Sequence, residues 1–291
     1  MKTSPTLSLG LCLLFSSLGT LTAQETAPGM QGPPKVLVIT REFLKPGRSG
    51  AAHQKTESAF VSAMTAAKWP VHYFAMNSLS GAPRTLFFIG YESFSAWEKD
   101  NLATASNPTL SAALDHAAAA DGDLLSSYES NTFLLREDLS LRQAVDIAHM
   151  RYFEISQFVV RPGHMKEFEE LGKLYVSGYE KAIPDAHWAT FESLYGTDNG
   201  GVFIVVNPIK SMAEIDRALP QSKQFMDAMG EDGMKKLETL SASCIASAQT
   251  NIFSFAPGMS YPRDEWIKAD PAFWKPKPTT MAMKSAPKPA P

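Results

Sequence analysis

Glu154 and Glu192 each interrupt an extended run of aromatic and β-branched residues, RYFEISQFVV (151–160) and HWATFESLYG (187–196). A carboxyl group held among apolar neighbours favours its neutral form and can serve as a general base. The same two residues suit a plainer duty: an ion pair with Arg41 or Arg151, or exposure to solvent. His187 opens the second run, and His72 opens a related one, HYFAMNSLSG (72–81). Imidazole titrates near neutral pH and moves protons in catalysis. Two histidines at matched places equally suit a structural role, tying the start of a strand to a backbone carbonyl. Glu192, His187 and His72 are the candidate catalytic residues.

Other chemistries find less support. There is no H-x-H, H-E-x-x-H or C-x-x-C spacing, so no metal site is expected. No G-x-G-x-x-G, P-loop or G-x-S-x-G pattern occurs, and no cofactor is predicted. A haem ligand among the six histidines stays open. A net charge of −3 gives no electrostatic support for a nucleic-acid partner. Lys2, the apolar stretch LSLGLCLLFSSLG and the small residue Ala23 form the pattern of a cleaved export signal over residues 1–23. The mature chain is expected in the periplasm or outside the cell, with no stable membrane insertion. Its single cysteine, Cys244, then has no disulfide partner and reads as a buried small residue.

The elements that must position these residues come in two copies. KVLVITREFLKPGR (35–48) matches RYFEISQFVVRPGH (151–164), and HYFAMNSLSG matches HWATFESLYG. LFFIGYESFSAWEKD (86–100) matches VFIVVNPIKSMAEID (202–216), and SNTFLLREDLSLR (130–142) matches TNIFSFAPGMSYP (250–262). The four matches keep one order and offsets of about 115–120 residues. Within a copy, an extended run turns at Pro-Gly into an amphipathic helix, with Phe168, Leu171, Tyr175 and Tyr179 on one face. Thr56, Phe60, Met64 and Ala67 are their expected counterparts. Two strands in hairpin register follow, then helix capped near Ser95 and Ser211, then a last strand. The order β-α-β-β-α-β, twice, is an α+β fold of two tandem ferredoxin-like repeats packed sheet to sheet. The expected division is a linker at 24–34, repeats at 35–145 and 146–262, and an extension at 263–291. Trp266, Phe273 and Trp274 dock the extension before a Pro/Lys-rich disordered tail.

With KPGR, RPGH and the doubled H-aromatic-x4-S-L-x-G strand in view, the chain resembles the dimeric α/β-barrel superfamily in tandem form. Antibiotic-biosynthesis-monooxygenase-like, NIPSNAP-like and EthD-like proteins and haem-using chlorite dismutase relatives belong to it. The pattern is also similar to a group of exported bacterial proteins with no assigned activity. The resemblance implies a pseudo-dimeric barrel in a monomer or homodimer. Its cavity would hold a small apolar or aromatic molecule, for binding or for cofactor-independent oxygenation or isomerisation. A haem-binding protein and a purely structural pseudo-dimer remain as alternatives.

Alternation divides each hairpin strand into two faces. Phe74, Met76 and Phe191 read as core beneath the helices. The opposite face then points between the two sheets. Tyr73, Asn77, Trp188 and Glu192, joined by Glu154 from the first strand, are the expected ligand-binding residues.

Overall fold

Runs of bulky residues at two-residue spacing form eight strands in the computed structural model, which describes residues 29–48, 50–198 and 200–275. The expected leader and the Pro/Lys-rich tail lie outside the described residues. The first half contributes β1 (Val36–Leu44), β2 (Tyr73–Ser78), β3 (Arg84–Tyr91) and β4 (Leu125–Leu135). The second half contributes β5 (Tyr152–Val160), β6 (Ala189–Gly196), β7 (Val202–Ile209) and β8 (Ile245–Phe255). They close into one antiparallel barrel in the order β1-β3-β2-β8-β5-β7-β6-β4. Each half keeps the ferredoxin-like order, and the halves join at β2–β8 and β4–β6.

Helices cover the outside. α1 (Gly50–Ala67), α2 (Phe94–Ala105) and α3 (Pro108–Gly122) belong to the first half, α4 (Met165–Ala182) and α5 (Ala218–Cys244) to the second. Ser93, rather than Ser95, caps α2 by accepting from the Ala96 amide. Ser211 opens a 3-10 turn (Met212–Arg217) that leads into α5 rather than capping α5 itself: its hydroxyl accepts from the Ala213 amide, and Glu214 accepts from the Lys210 amide. The last strand of each half starts earlier than the sequence pattern suggests. Leu125–Tyr128 extend β4 by pairing with β1, and Ile245 opens β8 directly after α5.

The barrel interior is filled by Leu37, Ile39, Met76, Phe88, Phe133, Phe153, Ile155, Phe191, Ile204, Phe253 and Phe255, with Phe74 packed against them. This reverses the expected faces. Phe74, Met76 and Phe191 point inward, whereas Tyr73, Asn77, Glu154, Thr190 and Glu192 fall on the helix side. The reason is volume. An eight-stranded barrel is just wide enough for side chains to fill. The uniformly bulky set therefore goes inside. The helix-covered face has open margins and tolerates polar groups.

One end of the barrel is closed by α6 (Asp264–Ala269) and α7 (Pro271–Trp274). Trp266 and Trp274 join the interior cluster, with their indole N–H groups on Gln31 Oε1 and the Ala148 carbonyl. The expected linker is in part held here too, since Gln31 pairs with Val145 and Pro34 packs over Gly90.

The repeated Ser-Leu-x-Gly ending has a geometric role. Gly81 and Gly196 both adopt positive φ, 75° and 135°, and both stand at a seam between halves. A Cβ on Gly81 would overlap Asn251 of β8, and one on Gly196 would overlap β4 at Ser130 and Asn131. Gly163 also has positive φ (85°) but nothing lies within 4 Å of a Cβ placed there. Gly163→Ala should therefore cost about 1–2 kcal/mol from backbone strain alone. Gly196→Ala should cost about 2–4 kcal/mol, because overlap with the facing strand adds to strain. Urea unfolding of the two variants measures the difference.

Candidate functional site

Two places collect groups able to do chemistry. The first is a cavity of about 340 Å3 at the closed end of the barrel, built from both halves. Phe74, Phe88, Phe153, Phe191 and Trp266 wall it, and His72 and His187 both line it. His187 is fixed: its Nδ1 lies 2.9 Å from the Asp185 carbonyl oxygen and its Nε2 2.7 Å from that of Pro208. His72 stacks on Tyr261 with ring centroids 4.6 Å apart, and its buried Nδ1 has no partner. Gln143, also on the wall, has a buried Oε1 without a partner.

The second place lies between the first-half sheet and its helices. Glu42 (β1), His53 and Glu57 (α1) and Asp121 (the last turn of α3) are all buried, and each brings one donor atom within 4.8 Å of the others. His53 Nε2 stands 3.0 Å from Glu42 Oε2, 3.5 Å from Asp121 Oδ1 and 3.9 Å from Glu57 Oε1. On the other side of the ring, Nδ1 is 3.3 Å from the Thr85 hydroxyl oxygen, which donates to Asn77 Oδ1 at 2.8 Å. The Thr56 hydroxyl lies 2.5 Å from Asp121 Oδ1. Glu57 Oε1 and the Tyr73 hydroxyl are buried without hydrogen-bond partners.

The electrostatics follow from this crowding. Burial, then the carboxylates of Glu42 and Asp121, push Glu57 up to about 9. Burial also raises Glu42, although His53 opposes it. Burial and the same glutamates raise the Tyr73 phenol. Asp121 sits at a helix C-terminus, where the macrodipole disfavours a negative charge. Beside this cluster opens a cavity of about 570 Å3, walled by Phe60, Met64, Phe87 and Ile89.

No family model matches the chain, and no curated protein matches its sequence. Solved structures do. An anthrone oxidase-like protein superposes with a TM-score of 0.51 at 13% identity, over 78% of this chain and 94% of that one. A protein from Fusobacterium nucleatum subsp. nucleatum, provisionally named a monooxygenase, gives 0.50 at 13% identity over 76% and 91%. The chain has their ferredoxin-like barrel fold. At such identity the likeness concerns the fold alone.

On this barrel the expected site residues are dispersed. Tyr73 and Asn77 adjoin the buried His53 cluster. Glu154 and Trp188 line a third cavity of about 410 Å3, between the second-half sheet and α4 and α5. Burial raises the Glu154 carboxyl. Glu192 lies in an ion-pair network, accepting from Arg136 at 2.9 Å, while Arg136 also binds Asp138 and Glu169. Tyr73 and Trp188 each also touch the barrel-end cavity. The third cavity meets one histidine, His187, whose two ring nitrogens already face carbonyls, so its residues do not fit a histidine-ligated haem.

The His53 cluster escaped sequence reasoning. Its local signal was His53-x-x-x-Glu57, two polar groups one turn apart on the buried face of α1. Glu42 and Asp121 join them only through the topology.

A pH dependence follows. In the folded chain Glu57 keeps its proton up to about pH 9, but an unfolded carboxyl loses it near 4.5. Its contribution to stability is complete below the lower value and is lost as pH rises through the upper one. Without added cations, wild-type stability should fall between pH 6 and pH 8.5, at up to about 1.4 kcal/mol per pH unit. Glu57→Gln should flatten that slope, as read by thermal unfolding across the range.

Proposed function

We propose that the protein is an exported small-molecule-binding protein whose ligand occupies the barrel-end cavity. The observation that carries this reading is the composition of the cavity wall. Aromatic rings from both halves enclose space in an otherwise filled interior, and His72 Nδ1 and Gln143 Oε1 stand there unpaired. Largely apolar walls with a few polar groups characterise sites for small organic ligands. A flat apolar molecule carrying a hydrogen-bond donor for Gln143 matches them. The leader pattern at residues 1–23 supports export.

One observation favours a second reading, an enzyme acting on the same ligand without a cofactor. His72 is a half-buried imidazole whose buried Nδ1 has no hydrogen-bond partner on the cavity wall, suited to moving a proton to or from a bound molecule.

Ala189 is buried and lines the cavity, so a larger side chain there fills the space. Native mass spectrometry and titration with an anilinonaphthalene fluorophore should show one small molecule per wild-type chain. Ala189→Phe should weaken binding at least ~10-fold and change the melting temperature by only a few degrees, because the added volume enters empty space. Unchanged binding in this variant would contradict the assignment. Loss of turnover in His72→Asn with binding retained would select the enzyme over the simple binder.

A further inference from the structure

The buried cluster of the first half calls for a different occupant. Three carboxyl groups and one imidazole are gathered in a buried layer, an arrangement that is costly unless the groups are paired or neutralised. The second half packs the aligned positions without charge. The helices α1 and α4 have equal length and align at an offset of 115 residues, and β1 and β5 align at 116. At the positions of Glu42 and His53 the second half carries Phe158 and Phe168, whose ring centroids lie 6.0 Å apart. At the position of Glu57 it carries Gly172. A ring pair therefore does the packing where the first half has a carboxylate against an imidazole.

The hydrogen bonds around His53 show what the cluster is prepared for. The Thr85 hydroxyl donates to Asn77 Oδ1, so its oxygen is left to accept from His53 Nδ1–H. The other ring nitrogen, Nε2, faces the oxygens of Glu42 at 3.0 Å and Asp121 at 3.5 Å. One nitrogen and two carboxylate oxygens thus converge on a point where a positive charge is favoured. A histidine whose far nitrogen is oriented by a polar group is the usual second-shell arrangement at a metal. A separate observation points to the same occupant. Glu57 is 3% exposed and its Oε1, aimed into the cluster, has no hydrogen-bond partner.

We propose that Glu42, His53, Glu57 and Asp121 bind one divalent first-row transition cation at the edge of the first-half cavity. Donors around such an ion, at about 2.0–2.2 Å, stand up to about 4.4 Å apart. The observed spread of 4.8 Å closes to this with small side-chain adjustments. Carboxylate oxygens with one imidazole and no sulfur select Mn2+, Fe2+, Co2+ or Zn2+ over soft ions such as Cu+. The adjoining cavity, with Tyr73 on its wall, leaves a side of the ion open to a small molecule. This centre is separate from the barrel-end cavity and does not depend on it.

The test uses the full chain, stripped with a chelator and then freed of it. Calorimetric titration with Zn2+ and electron paramagnetic resonance with Mn2+ should each give one ion per chain. The Kd for Zn2+ should be tighter than about 10 μM. Glu57→Gln should lose stoichiometric binding. Thr85→Val, which removes the group that orients His53 and spares all four donors, should weaken binding about 10–100-fold. The Co2+ complex of the wild type should show a visible d–d band that is absent in Glu57→Gln. Failure of the wild-type protein to bind either ion at a one-to-one ratio would overturn the proposal. So would binding by a folded Glu57→Gln protein with wild-type affinity.

Discussion

Everything in this molecule depends on closing the sheet across two seams. Each half alone is a four-stranded sheet with an apolar inner face and two unpaired edges, a combination that invites aggregation. The β2–β8 and β4–β6 pairings remove the edges and bury both inner faces together. Closure requires the strands to approach closely where each hairpin turns, so glycine stands at both places. Gly81 lies against Asn251 and Gly196 against Asn131, two asparagines that are themselves buried. The doubled Ser-Leu-x-Gly phrase is thus a seam element, and its recurrence reflects the geometry of the joint.

Closure also decides where polar chemistry can sit. The interior fills with phenylalanine, methionine and aliphatic side chains, with a cavity at the end capped by Trp266 and Trp274. Polar groups are displaced to the layers between sheet and helices, and there the halves diverge. The second half fills its layer with Phe158, Phe168 and Phe203, and the first gathers Glu42, His53, Glu57 and Asp121. Tyr73 and Trp188 occupy equivalent places, each between the barrel-end cavity and the cavity of its own half. One scaffold thus provides a shared apolar chamber and, in the first half, a buried cluster of three carboxyl groups and an imidazole.

Much of the fold was legible because it is written in short-range pattern. Pro-Gly after the first strand, hairpin glycines and the three- to four-residue spacing along α4 each specify a local shape, and their repetition specifies the pairing of halves. The choice of face was not legible. Phe74-x-Met76 and Tyr73-x-Ala75 are both apolar enough for either side, and only the volume of the closed barrel decides between them. The site residues were legible one at a time but not as a group. Glu192 looked catalytic in a strand of apolar residues, yet Arg136, 56 positions earlier, meets it across the β4–β6 seam. Glu42 and Asp121 carry no mark of their partnership, which arises only when β1, α1 and α3 pack together. His53 and Glu57 did carry one, a polar pair one turn apart on a face that had to be buried.

The central claim is that the two halves share a scaffold and that the Glu42, His53, Glu57 and Asp121 cluster proposed to bind an ion has no counterpart among the described residues of the second half. Anomalous diffraction from crystals soaked in Mn2+ tests it most directly. The account predicts one strong peak within coordination distance of Glu42, His53 Nε2, Glu57 and Asp121, and no corresponding peak between Phe158 and Phe168. A first-half layer without a peak, or equal peaks in both halves, would contradict it.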